Sequence, residues 1–304
     1  MAFAAVYVIW GSTYLGIKLA IDSVPPLLMA SARFLSAGVL LYGWARLRGA
    51  KKPTRGQWGR AAIVGGCLLA VGNGGLTFAE LYVPSGLAAL LIAMVPVFMA
   101  LLGWFSGQSP RPTPRVWFGF ACGLAGVALL ARPDATAAMH PRFLLGVGVI
   151  LVGGLVWSGG SLYSRRAGLG IDPTLMAGMQ MLSAGAMLLP GALARGELVG
   201  FTLAQVNAKS AFAFLYLVFI GAIVGYSAYL WLLRHCPPSQ VATYAYVNPV
   251  VAVLLGASFA GEKPTSSMLA GAALIVAAVA LVITNRPRRS APVAVTNPTL
   301  AEAR

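Results

Sequence analysis

Apolar runs of about 20 residues, the length a bilayer demands of a helix, recur along the chain between short polar stretches rich in Arg, Pro and Gly. Read with a window near 19 residues, they predict ten membrane-spanning helices. The first five run at Ala2–Ala20, Leu27–Leu47, Ala61–Ala79, Gly86–Ser106 and Val116–Ala131. The second five follow at Leu144–Tyr163, Thr174–Ala194, Ala211–Leu233, Gln240–Ala260 and Met268–Thr284. The fold class expected is therefore all-α and integral to the membrane. Residues 286–304, basic and rich in Pro and Ala, read as a disordered tail.

Composition agrees with lipid as the solvent. Of the 304 residues 59% are hydrophobic and 10% charged, against about 25% charged in soluble domains, and the mean hydropathy is +0.80. A net charge of +15 would suggest nucleic acid in a soluble protein. Here the basic residues fall between the runs, so no nucleic-acid partner is expected and the charge becomes a topology signal. With ten crossings, fifteen of the 22 Lys and Arg share the side of the termini: Arg46, Arg48, Lys51, Lys52, Arg55, Arg60, Arg111, Arg115, Arg165, Arg166, Arg234, Arg286, Arg288, Arg289 and Arg304. Lys18, Arg132, Arg142, Arg195, Lys209 and Lys263 lie on the other side, and Arg33 lies within a span. The positive-inside rule then puts both termini in the cytoplasm. Cys67, Cys122 and Cys236 form neither a disulfide framework nor a zinc motif. The first run has no basic leader and carries Trp10, Ser12, Thr13 and Tyr14 in its middle, so it reads as a span and not as a cleaved signal.

The chain repeats itself. A shift of 147 lays Trp10 on Trp157, Pro26 on Pro173, Leu28-Met29-Ala30 on Leu175-Met176-Ala177 and Leu35-Ser36-Ala37-Gly38 on Leu182-Ser183-Ala184-Gly185. Further along, Pro84-Ser85 matches Pro238-Ser239, Pro96-Val97 matches Pro249-Val250, Gly103 matches Gly256, and Val127-Ala128-Leu129 matches Val279-Ala280-Leu281. Two repeats are delimited, 1–133 and 143–285. Each holds five helices, an odd number, so the second copy enters the membrane from the opposite face. Inverted repeats of this kind are the architecture of secondary transporters, with one site near the midplane exposed alternately to either side.

Trp10-Gly11-Ser12 in the first helix, Arg33-Phe34 in the second, and Pro249 with Gly256 and Glu262-Lys263 around the ninth resemble the EamA-type branch of the drug/metabolite transporter (DMT) superfamily, over about Ala2 to Thr284. Within it the overall pattern is most similar to the YddG-type exporters of aromatic and other amino acids. The first repeat departs from the second in carrying Ser109-Pro110 where the second has Glu262-Lys263. The resemblance implies a multi-pass protein of the bacterial inner membrane that exports small metabolites, foremost aromatic and other neutral amino acids, by alternating access through a central cavity. Its partners are then small molecules and membrane lipid, as a monomer or a dimer. Export of other metabolites or drugs fits the same resemblance.

Depth estimated from span ends at about 1.5 Å per residue selects Trp10 to Tyr14, Asn73, Met94, Trp157, Gln180, Tyr226 and Asn248 as midplane residues. Asn73 sits in Gly72-Asn73-Gly74-Gly75, where missing side chains expose backbone, and Asn248 precedes Pro249, which frees a carbonyl. Broken points of this kind bind polar groups in transporters, although amides also join membrane helices to each other; for both residues the two readings stand side by side. The aromatics Trp10, Tyr14, Tyr82, Trp157, Tyr163, Tyr226, Tyr229, Tyr244 and Tyr246 are candidates for pocket walls, with those near span ends, such as Tyr82 and Tyr163, equally suited to anchoring at the interface. The substrate-binding set is thus Trp10, Ser12, Tyr14, Asn73, Tyr82, Met94, Trp157, Tyr163, Gln180, Tyr226, Tyr244 and Asn248. Lys18, Arg33 and Glu80 form a candidate charge or gating group: Lys18 has the reach to snorkel to water, whereas Arg33 lies deep enough to need a partner, and Glu80 is the nearest acid. The pair would act as an outer gate or bind a substrate carboxylate.

His140 and His235 fall in loops and no carboxylate pair or Ser/His/Asp set can be assembled, so neither an enzyme nor a cofactor or metal is expected. A passive channel for small polar solutes is the competing reading. With no acid at midplane depth, facilitated diffusion or exchange is expected over tight proton coupling.

Overall fold

The computed structural model describes residues 1–108, 111–130, 141–167, 171–236, 241, 244–259, 261 and 265–283. The expected tail and the readings that rest on Ser109–Pro110, His140, Pro238–Ser239 and Glu262–Lys263 lie outside them, as do the side chains of Arg165, Arg166 and Tyr246. Among the described residues every regular element is helical. The helices are α1 (Ala2–Ala20), α2 (Pro26–Leu47), α3 (Arg55–Ala79), α4 (Ser85–Phe105), α5 (Pro114–Leu130), α6 (Phe143–Ala167), α7 (Pro173–Ala194), α8 (Ala208–His235), α9 (Tyr244–Phe259) and α10 (Ser266–Ile283). Seven of them, α1–α4 and α6–α8, are long and apolar enough to cross a membrane. The other three carry shorter apolar stretches, Pro114–Leu129, Val247–Phe259 and Leu269–Ala278.

Local signals fix the ends. Pro26 and Pro173 occupy the first turns of α2 and α7, where the missing N–H costs nothing. The Asp172 carboxylate accepts from Leu175 N at 2.9 Å, and the Asn207 side chain accepts from Ser210 N at 2.8 Å. Helix α3 starts at Arg55, six residues before the apolar run, because Thr54 and Gln57 form a reciprocal capping box. That polar first turn is invisible to a hydropathy window. Gly49, Gly107 and Gly196 follow the ends of α2, α4 and α7 with positive φ, the left-handed turn that stops a helix.

The repeat-related helices α2 and α7, whose first residues are 147 positions apart, pack antiparallel. Leu28 N donates to the Glu197 carboxylate at 2.9 Å near one end, and the Ser31 hydroxyl donates to the Gly185 carbonyl at 2.8 Å. Near the other end Ala45 clusters with Leu175 and Met176. The backbones approach closely because each helix offers the glycine of its Leu-Ser-Ala-Gly motif to the leucine of the other. A Cβ on Gly38 would lie 2.8 Å from Leu182 N, and one on Gly185 would lie 2.9 Å from Leu35 N. Small residues that admit such contact drive helix association in lipid. Helices α5 and α10, also repeat-related, pair in a similar way, with Gly126 against the Gly271 carbonyl.

The described loops gather at two ends. At the end poor in basic residues, Lys18 Nζ donates to the Glu80 carbonyl at 3.0 Å, Asn207 bonds Ser23 and Asp22, the Ser210 hydroxyl donates to the Leu19 carbonyl and Arg195 pairs with Glu197 at 3.2 Å. At the basic end the Tyr42 and Trp58 rings meet at 5.8 Å over a small cluster that includes Ala61 and Ile171. Large apolar side chains such as Leu40, Trp44, Leu144, Phe219 and Leu254 face outward, as a lipid-facing surface requires.

Candidate functional site

Three helices leave regular α geometry part-way along their length. Val6–Trp10 of α1, Gly66–Asn73 of α3 and Leu217–Tyr226 of α8 are wound as wider π turns, a form concentrated at functional positions. A fourth helix, α4, breaks its ladder in a turn at Ala93–Met94. The wide segments of α3 and α8 end at Asn73 and Tyr226, 153 residues apart, the same spacing as Pro96 and Pro249. For Asn73 the cause is local, since the surrounding glycines contribute no side-chain packing to hold a tight turn.

These irregular turns border one central cavity. Its walls come from Trp10, Thr13 and Tyr14 of α1, Arg33 and Phe34 of α2, Leu69, Gly72, Asn73 and Leu76 of α3, Ile92 and Val95 of α4, Gly153 and Trp157 of α6, Gly221, Ala222 and Tyr226 of α8, and Tyr244 of α9. The cavity has a volume of about 60 Å³. Pockets for drug-sized ligands usually measure about 300–1,000 Å³, so a metabolite requires the walls to part.

The cavity has two unlike ends. Toward the basic end lies an aromatic floor: the Trp10 ring meets Trp157 edge-on at 5.5 Å, Tyr229 at 4.8 Å and Tyr244 at 5.6 Å. The Trp157 indole N–H donates to the Tyr229 hydroxyl at 3.2 Å, which also shares a 2.9 Å bond with the Ser161 hydroxyl. Each tryptophan is seated on a glycine from the other half of the chain. A Cβ on Gly225 would lie 2.8 Å from Trp10 Nε1, and one on Gly72 would lie 2.8 Å from Trp157 Cε3. Toward the other end lies a charged roof. Arg33 is 3% exposed and Glu80 fully buried. Arg33 Nη1 donates to Asn73 Oδ1 at 3.3 Å, its guanidinium stacks on Phe34 with Cζ 4.7 Å from the ring centre, and it lies within electrostatic range of Glu80.

The EamA-like transporter family matches this chain over residues 1–132 and 144–284. The chain belongs to that family, within the drug/metabolite transporter superfamily. It is a multi-pass membrane transporter. Similar proteins include the "Uncharacterized inner membrane transporter YedA" of Escherichia coli (strain K12), 41% identical over 284 residues that cover 92% of this chain and 89% of the relative. A relative in Salmonella typhimurium named "Probable amino-acid metabolite efflux pump" is 28% identical, covering 95% of this chain and 96% of its own length. One in Streptantibioticus cattleyicolor named "Probable terminal-alkyne amino-acid exporter" is 27% identical over 92% of each chain. A solved crystal structure shares the fold at a TM-score of 0.66 and 20% identity, over 92% of this chain and 94% of the other.

Of the residues singled out from the sequence of this transporter, Trp10, Tyr14, Arg33, Asn73, Trp157, Tyr226 and Tyr244 meet at the cavity. Gln180 stands behind it and accepts from the Tyr226 hydroxyl at 2.7 Å. Met94 is buried in the α4 turn against Gly123. The Asn248 amide, oriented to satisfy its hydrogen bonds, donates to the Tyr7 carbonyl at 3.0 Å and the Tyr244 carbonyl at 3.3 Å, joining α9 to α1. The Ser12 hydroxyl shares a 2.5 Å bond with the Tyr216 hydroxyl. Tyr82 lies at the basic-poor end, its ring edge-on to Phe78 and its hydroxyl accepting from Arg142 at 3.4 Å; Tyr163 is 37% exposed. Neither belongs to the cavity wall. Phe34 entered the sequence reading only as part of the Arg33-Phe34 motif, and the rest of the apolar wall, Leu69, Leu76, Ile92 and Val95, differs in no way from lipid-facing residues in a single sequence. It marked Gly72 only as part of the glycine-rich break around Asn73 and passed over Gly221 and Gly225. Carrying the 153-residue offset back into α3 and α8 pairs Gly72 with Gly225 and marks the second from the first.

Proposed function

We propose that this transporter exports small metabolites, foremost aromatic and other neutral amino acids, by alternating access through the central cavity. The observation that carries the reading is the cavity's position, enclosed by widened or broken turns of α1, α3, α4 and α8, with an aromatic floor to receive an apolar side chain and polar groups at the roof. Irregular backbone at membrane depth is tolerated where it lines such a site. The printed names of the Salmonella and Streptantibioticus relatives support amino acids as the class.

The two stretches matched by the family, the antiparallel α2 and α7 and the crossed Trp–Gly seats support two inverted repeats, 1–133 and 143–285, of five spans each. On that reading α5, α9 and α10 also cross, both termini are cytoplasmic by the positive-inside rule, and the membrane is the inner one, as in the YedA relative's name. The cavity is lined by residues of one chain, an arrangement that a monomer or a dimer would hold equally. None of the ten helices contains an Asp or Glu, Glu80 follows the end of α3, and His235 is the last residue of α8 and not a loop residue as the sequence suggested; no acid or histidine of these helices thus stands at mid-depth, which supports facilitated diffusion or exchange, since proton-driven carriers usually keep an acid or histidine relay in the membrane.

Counterflow in proteoliposomes loaded with a panel of amino acids, with and without an imposed pH gradient, tests both parts. Saturable exchange that follows only the substrate gradient is expected. No exchange of any amino acid, or a leak that does not saturate, refutes the export reading. Uphill accumulation driven by the pH gradient and lost in Glu80→Gln refutes the facilitator.

A further inference from the structure

We infer that Arg33 is an anion subsite, and that the cavity takes molecules carrying a carboxylate at one end and an apolar body at the other. The inference rests on the reading of the cavity as the transport site and deepens it. A guanidinium held 97% out of solvent in a membrane protein is expensive unless its donors are used, yet Arg33 Nε has no hydrogen-bond partner. Arg33 Nη1 spends its bond on Asn73 at 3.3 Å, long for a charged donor. Around Nη2 the neighbouring α8 backbone is a glycine, Gly221, whose absent side chain leaves space beside that atom.

The fork therefore points at the cavity with a donor to spare, fixed from behind by the Phe34 ring and from the side by Asn73. A carboxylate matches a guanidinium edge with two parallel bonds, and no other common metabolite group except phosphate does so as well. Phosphate esters suit the floor poorly, because Trp10, Trp157 and Tyr244 offer ring faces and edges there rather than cations. Glu80, within electrostatic range on the roof side, makes the positive charge tolerable when no substrate is present. A carboxylate on Arg33 would thus face the basic-poor end, with the apolar body on the tryptophan floor.

The test uses the full chain purified in detergent, with thermal stabilisation and indole fluorescence as binding readouts. The probes are L-phenylalanine, 3-phenylpropanoate, L-phenylalaninamide and phenethylamine, on the parent, Arg33→Gln and Arg33→Lys. In the parent the two carboxylates should bind about tenfold or more tightly than the amide and the amine, the discrimination one charge-assisted bond provides. Arg33→Gln should lose that preference and bind acid and amide with the same affinity, and Arg33→Lys should fall between, since lysine keeps the charge without the fork. Equal binding of acid and amide to the parent overturns the inference whether or not the Gln variant folds, as does full acid affinity in a folded Arg33→Gln. Should 3-phenylpropanoate bind through Arg33 while no amino acid exchanges in vesicles, the amino-acid reading fails and the subsite stands. Exchange of phenylalanine and its amide at equal affinity has the opposite meaning.

Discussion

The seating of each cavity tryptophan on a glycine of the opposite repeat makes a sharp prediction for Gly225→Ala and Gly72→Ala. In the first variant the new methyl would lie 2.8 Å from Trp10 Nε1 and 3.0 Å from Cδ1; in the second, 2.8 Å from Trp157 Cε3. Ordinary contact begins at 3.4 Å, so each indole must retreat by about 0.6 Å. For Trp10 the retreat is hindered by Trp157, Tyr229 and Tyr244, all with ring centres within 5.6 Å, which leaves the cavity as the direction of escape. Overpacking of this kind costs about 1–3 kcal/mol. If that cost falls on the ligand-bound state, where the space is needed, affinity drops roughly 5- to 150-fold. Initial counterflow rates against substrate concentration should show KM rising in both variants by similar factors, with expression and melting behaviour close to the parent. Gly43→Ala is the control: a Cβ at Gly43 meets nothing within 4 Å, and alanine in a helix interior is favoured over glycine by about 0.5–1 kcal/mol. Parental KM in both cavity variants would refute the proposed seating, and an effect in only one would refute its symmetry.

Replacing Trp10 or Trp157 by Ala should reduce transport while leaving expression intact, because their rings form the floor that receives the apolar part of the ligand; unchanged flux in both would remove them from the site. A reporter fused after Thr284 should behave as cytoplasmic, given the fifteen-to-six division of basic residues, and periplasmic alkaline phosphatase activity from that fusion would overturn the topology.

Much of this was legible in the chain itself. Runs of about 20 apolar residues allow only one kind of regular structure in lipid, since every backbone group must be satisfied within its own helix. The all-helical membrane fold therefore follows from hydropathy, and the expectation of ten spans in two repeats rests on hydropathy and self-comparison together. Midplane depth alone picked out Trp10, Tyr14, Asn73, Trp157 and Tyr226, all of which reach the cavity, because depth along a helix is a one-dimensional property.

Rotation about the helix axis is not, and there only tertiary packing decided. Ser12 and Thr13 are neighbours at the same depth, yet Thr13 faces the cavity while Ser12 bonds Tyr216. Gln180 and Asn248 lie as deep as Tyr226 but are spent on the Tyr226 hydroxyl and on the α1 carbonyl of Tyr7. In a helix hydrophobic nearly all round, no polar face reports which side meets lipid and which meets protein. What fixes the rotation is where glycines let backbones close, Gly38 on Leu182, Gly72 under Trp157 and Gly225 under Trp10, and that depends on helices far apart in the sequence.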